Sequence, residues 1–200
     1  MCGTSSTRRL LTLLTAALVA AGCGGATTST VERAPGIAPP TTSTAPVALP
    51  TTVDIPAIGV HATSLEADGL EPDGSIHVPS VKTPQVLGYY TRSNPPCVPG
   101  PNQVPFALLG HIDGSGQKGV LYSLKELKAG DLVKVGLDNG QSCTYRITKL
   151  AQVDKKAFPT QDIWGPTPDA QIRIISCGGK FVGGQLGYAL NLIGIGTLVN

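Results

Sequence analysis

From residue 51 onward the chain never sustains the repeat of a long amphipathic helix; short apolar runs are cut one after another by turn residues. The runs fall at 53–58, 76–78, 86–90, 105–109, 132–137, 143–150, 172–176 and 188–199. Pro72-Asp73-Gly74, Pro99-Gly100-Pro101 and Asp138-Asn139-Gly140 are among the signals between them. Proline removes a backbone donor and glycine admits left-handed turns, so this punctuation selects short strands. The 25 glycines and 17 prolines in 200 residues exceed ordinary usage.

Asn139-Gly140 is the strongest local hairpin signal, lying between two alternating arms. Val133, Val135 and Leu137 share one face of the first arm, and Cys143, Tyr145 and Ile147 share one face of the second. Only 121–129, with Leu121, Leu124 and Leu127 three apart, reads as a helical turn. Eight strands with almost no helix predict an all-β barrel or sandwich. No internal repeat is visible. The net charge is +2, and no basic patch carries interleaved aromatics, which argues against a nucleic-acid partner.

Residues 1–22 read as an export signal. Arg8 and Arg9 give a positive start, and 10–21 is an uncharged, mostly apolar stretch. It is shorter than the roughly 20 residues a membrane-spanning helix needs. Ala20-Ala21-Gly22-Cys23 closes it and resembles a bacterial lipobox, in which Cys23 becomes the lipidated N-terminus. An ordinary signal peptide with an incidental Cys23 is the alternative. The paired arginines alone do not make a twin-arginine signal. Residues 23–50 are rich in Thr, Ser, Pro and Ala, too polar to repay the entropy of ordering, and are expected to form an extended stalk. The folded domain is expected over 51–200, on the outer face of the cytoplasmic membrane.

Five cysteines are present. Cys2 leaves with the signal and Cys23 is the candidate anchor. Cys97, Cys143 and Cys177 then remain, and in an oxidising compartment two of three tend to pair. Cys177 ends the apolar strand Ile172-Arg173-Ile174-Ile175-Ser176 and is followed by Gly178 and Gly179. A thiol at a strand end, with glycines that let a backbone approach, suits a nucleophile, although buried structural cysteines are commoner. His111 lies where the apolar strand Ala107-Leu108-Leu109 runs through Gly110 into Ile112-Asp113-Gly114. An imidazole handles protons near neutral pH, which a thiol nucleophile requires. Asp113 is placed either to orient that imidazole or, more commonly for such a residue, to cap the turn. His61 and His77 read as surface or turn histidines. No cluster has metal-ligand spacing, so neither metal nor other cofactor is expected.

Several ordered motifs together resemble the sortase family, and in detail its class F (class E/F-like) members. Ile55-Pro56-Ala57-Ile58-Gly59-Val60 and Gly69-Leu70-Glu71-Pro72-Asp73-Gly74 match its opening strand and turn. Leu87-Gly88-Tyr89-Tyr90 and Gly110-His111-Ile112-Asp113 match the next strand and the histidine motif. Ala157-Phe158-Pro159-Thr160 and Trp164-Gly165-Pro166-Thr167 match the loop before the cysteine strand. Ser176-Cys177-Gly178-Gly179 is similar to the family's Thr-Cys-Gly-Gly, and Tyr188 and Asn191 match the last strand.

This resemblance implies a closed eight-stranded β-barrel and a cysteine transpeptidase. Cys177 would attack the Thr–Gly carbonyl of an LPXTG-type sorting signal. His111 would serve the leaving and incoming amines, and a cell-wall amine would resolve the thioacyl intermediate, with the enzyme a monomer. One departure stands out: the family's last-strand arginine, a donor to the developing oxyanion, falls where this chain has Ala189. Arg173 shares the face of Cys177 but lies about 13 Å along a regular strand. Arg92 sits in a loop, Ser176 replaces Thr mildly, and backbone N–H groups at 177–179 are further donors. With Cys177 reserved for catalysis, Cys97 and Cys143 are expected to form a disulfide. Ala189 keeps a second reading open, a catalytically weak or inactive sortase-fold lipoprotein that binds peptide or wall material. An L,D-transpeptidase is disfavoured because its close Ser-His-Gly-Cys pattern is absent. A papain-like protease is disfavoured because its cysteine precedes its histidine.

Overall fold

Pro56 sets where the first strand stops. It cannot donate to a ladder, so β1 (Pro50–Ile55) ends there, and a 3-10 turn over Pro56–Ile58 leads to Gly59 at φ 68°. The single run expected over 53–58 is therefore a strand followed by a turn. The structure is a computed structural model and describes residues 47–184 and 187–199. The export signal at 1–22, Cys23 and the stalk up to residue 46 lie outside the described residues.

Beyond Gly59 come β2 (Val60–Ala62), β3 (Leu65–Asp68), β4 (Leu87–Tyr90) and β5 (Phe106–Leu109). A small hairpin follows, β6 (Asp113–Gly114) with β7 (Gln117–Lys118). The remaining strands are β8 (Leu132–Leu137), β9 (Ser142–Asp154), β10 (Gln171–Gly183) and β11 (Gly187–Leu198). Nine of them form one sheet in the order β2-β1-β8-β9-β11-β10-β5-β4-β3. Its terminal strands β2 and β3 are joined by just Thr63 and Ser64, so the chain itself draws the two edges together into a nearly closed barrel. The all-β barrel expected from the sequence is present, with nine strands in place of eight.

The core follows the alternation of the β8–β9 hairpin. Val133, Val135, Leu137, Cys143, Tyr145 and Ile147 are all buried and pack with Ile55, Leu108, Ile172 and Ile174. Gly140 turns the hairpin at φ 81°, its N–H donating to the Leu137 carbonyl at 3.1 Å, while the Leu137 N–H donates to the Gln141 carbonyl at 2.9 Å. The loop is thus a turn ending in one left-handed glycine. Leu121, Leu124 and Leu127 are buried around a 3-10 turn, Leu124–Glu126, in which residues three apart eclipse. A short helix, α1 (Thr160–Trp164), occupies a segment expected to be loop. The run at 76–78 is not a strand. It contributes one bridge, Ile76 to Leu70.

Residues 172–176 of β10 are buried on both sides, which fits the isoleucines on each face. It pairs in parallel with β5 and antiparallel with β11. Ile172 and Ile174 point into the barrel. Ile175 lies on the outer face with Leu109, Ile193 and Ile195, where Ile163 and Trp164 of α1 cover it. That roofed outer face carries the site.

Candidate active site

Strand alternation puts Cys177 on the outer face, two residues beyond Ile175, and Ser176 on the inner one. Ser176 is buried, and its hydroxyl donates to the Gly110 carbonyl at 2.6 Å, while the Gly110 N–H donates to the Ile175 carbonyl at 3.3 Å. The residue before the thiol is in this way fastened to the residue before the imidazole. Gly110 has no room for a Cβ, which would lie 2.8 Å from Val120. The backbone of His111 is held in turn by Leu121, whose N–H donates to its carbonyl at 2.9 Å.

Cys177 and His111 line one cleft of about 180 Å³, with Val81, Ile112, Asp113, Phe181 and Tyr188. Its walls are largely apolar, and Phe181 stacks edge-on against Tyr188 with ring centroids 5.2 Å apart. The His111 Nε2 meets the Pro79 carbonyl at 2.6 Å. A carbonyl can only accept, so Nε2 carries the hydrogen and Nδ1 is the nitrogen able to exchange a proton while that bond holds. Cys177 is a free thiol. Its neighbour by hydrogen bonding is Lys155, whose Nζ lies 3.4 Å from Sγ.

Asp113 is bonded by the Tyr188 hydroxyl, which raises the phenol's pKa, chiefly because the carboxylate accepts its proton's hydrogen bond. The carboxylate thus ties the histidine loop to β11, and no hydrogen bond joins it to His111 among the described residues. Arg173 is buried at 3% exposure. Its guanidinium donates to the Gln171 side chain at 2.8 Å and to the Ile172 carbonyl at 3.2 Å, and burial lowers its pKa to about 10. It bonds within its own strand and does not line the cleft. Arg92 is exposed in the turn after β4 and does not line the cleft. Neither arginine occupies the place of the missing one. Ala189 lies on β11, two residues from Asn191, which pairs with Cys177.

Cys97 and Cys143 are joined by a disulfide with Cα atoms 5.3 Å apart, tying the segment before β5 to β9. The Cys97 N–H also donates to the Tyr145 hydroxyl at 3.1 Å. Lys155 was not singled out from sequence, because the strand was expected to stop at residue 150, whereas β9 runs to Asp154 and delivers the lysine to the thiol.

Comparison with known proteins decides the family. The model of the sortase domain matches residues 53–199. This chain belongs to the sortase family. Solved sortases share the fold at low identity. Sortase C1 from Streptococcus agalactiae is 19% identical with a TM-score of 0.55, the match covering 75% of this chain and 67% of that one. Sortase C-1 from Actinomyces oris is 22% identical with a TM-score of 0.54, covering 74% and 73%. A lid mutant of sortase A from Corynebacterium diphtheriae is 20% identical with a TM-score of 0.54, covering 80% and 74%. No curated protein matches the chain by sequence. Sortases are cysteine transpeptidases that act on sorting-signal proteins and cell-wall amines.

Proposed function

We propose that this sortase is a class F-like transpeptidase that cleaves an LPXTG-type signal between Thr and Gly and transfers the new acyl end to a cell-wall amine. The observation that carries the reading is the shared cleft of Cys177 and His111, with Ser176 and Gly110 fastening the two backbones. The Cys177 thiolate adds to the threonine carbonyl carbon, and the carbonyl electron pair moves to oxygen. When that pair returns, the C–N bond breaks and the glycine amine leaves with a proton from His111. An incoming amine then attacks the thioester, passes its proton to His111 and releases the thiolate. Water in place of the amine gives hydrolysis. Splitting the reaction in this way replaces direct aminolysis of an amide with two easier steps.

In the cell, the reading places the enzyme as a monomer on the outer face of the cytoplasmic membrane. A lipid on Cys23 would anchor it, with residues up to about 50 as stalk and 51–200 as the catalytic domain. Ala189 favours a second reading, a protein that binds such peptides without turnover. Incubation with an LPXTG-type peptide and a glycine-oligomer amine separates the two. A Thr-linked amide product, absent with Cys177→Ala, supports transpeptidation. Saturable peptide binding without product across a broad peptide panel supports the second reading and overturns the first.

A further inference from the structure

The sheet order around the thiol is β9-β11-β10-β5. His111 follows β5, so the imidazole approaches Cys177 from one side of β10. On the other side stands β11, where Ala189 ends in a methyl group, and beyond it β9. Register now matters. Val153 of β9 pairs with Asn191, and Asn191 pairs with Cys177, so these three side chains form one row across the outer face. Leu190 pairs with Asp154, the last residue of β9, so Ala189 on β11 and Lys155 just past the end of β9 are the next residues along. Lys155 opens a 3-10 turn at that point, and its ammonium stands 3.4 Å from the Cys177 sulfur.

We propose that Lys155 is a catalytic residue of this sortase, supplying from β9 the positive charge that an arginine at position 189 would supply from β11. The inference rests on the transpeptidase reading for its chemistry, though not for its geometry. A lysine ammonium has three donors on one small head, so one N–H can face the sulfur while another meets the carbonyl oxygen of the bound peptide. As the C–S bond forms, the electron pair displaced onto that oxygen gains a cation beside it. The proton stays on Lys155, and His111 handles the leaving amine. Arginine offers a planar fork where lysine offers a point charge, so the arrangement holds the oxyanion with fewer fixed hydrogen bonds.

Two readouts on the intact chain test this. The first needs no peptide: the rate of Cys177 alkylation by anionic iodoacetate relative to neutral iodoacetamide. A cation beside the sulfur favours the anionic reagent. The ratio is expected to fall severalfold in Lys155→Met and to hold in Lys155→Arg, with Lys155→Gln used where the Met variant fails to fold. The second is kcat/KM for the LPXTG-type peptide with amine. It is expected to fall about 10²-fold in Lys155→Met, the loss typical of one oxyanion donor. Adding Ala189→Arg to Lys155→Met is expected to recover much of it. A charge-ratio and a kcat/KM both within about twofold of the parent in Lys155→Met would overturn the proposal while leaving transpeptidation standing. A parent with no peptide product, whose alkylation ratio still depends on Lys155, would overturn the transpeptidase reading and support the placement of the cation.

Discussion

The hydroxyl of Ser176 donates to the carbonyl of Gly110 at 2.6 Å inside the barrel, so the thiol and the imidazole are carried by neighbours bonded to each other. Parallel pairing of β10 with β5 brings Ile175 beside Leu109, and this bond extends that pairing by one step where the strands part. The spacing of the two side chains is consequently held from the buried face of β10.

Removal of this bond leaves a buried carbonyl without its donor. Ser176→Ala is expected to cost about 1–3 kcal/mol of unfolding free energy. Urea denaturation checks it as a lower midpoint at unchanged slope. Ser176→Thr keeps the hydroxyl and is expected to remain close to the parent.

The cysteine strand, the histidine turn and the β8–β9 hairpin were legible because each has a local cause. Residues 172–176 carry isoleucine on both faces, Gly110 breaks a strand, and Asp138-Asn139-Gly140 is a turn. β3 was not legible. Leu65-Glu66-Ala67-Asp68 carries two acids, and what holds it as a strand is non-local: parallel pairing with β4 and the buried Asp68 bonded to His77 at 2.9 Å. Lys155 was illegible for a similar reason. Its place beside Cys177 depends on the registers of β9, β11 and β10 taken together, and no spacing within one segment encodes that.

The Cys97–Cys143 disulfide closes a separation of 46 residues. In the chain-entropy account such a loop is worth about 4 kcal/mol. Cys97→Ala/Cys143→Ala is expected to lose roughly 2–4 kcal/mol, native strain and residual denatured structure trimming the ideal value. Chemical denaturation of the double variant measures it, and an unchanged midpoint would contradict it.

His77 couples stability to pH. Its Nδ1 bonds Asp68 at 2.9 Å, with Glu66 3.9 Å away, and Glu71 faces Nε2 at 3.8 Å. The bond to Asp68, then the surrounding negative charge, raises the imidazole's pKa, while burial raises that of Asp68. A cation favoured by the fold contributes stability fully below the unfolded value of about 6.5, and that contribution is lost as pH rises through the raised folded value. The difference in Tm between parent and His77→Gln should therefore be largest in mild acid and shrink toward alkaline pH. A difference that grows with rising pH would contradict the assignment.

The central claim is that Cys177 takes the acyl group in a cleft it shares with His111. Intact-protein mass spectrometry after rapid quenching with an LPXTG-type peptide tests it most directly. The account predicts a mass gain equal to the peptide minus its C-terminal fragment, mapped to Cys177 and discharged by hydroxylamine. The adduct should be absent in Cys177→Ala and form far more slowly in His111→Ala. An adduct on another residue, or full-rate acylation without His111, would contradict it.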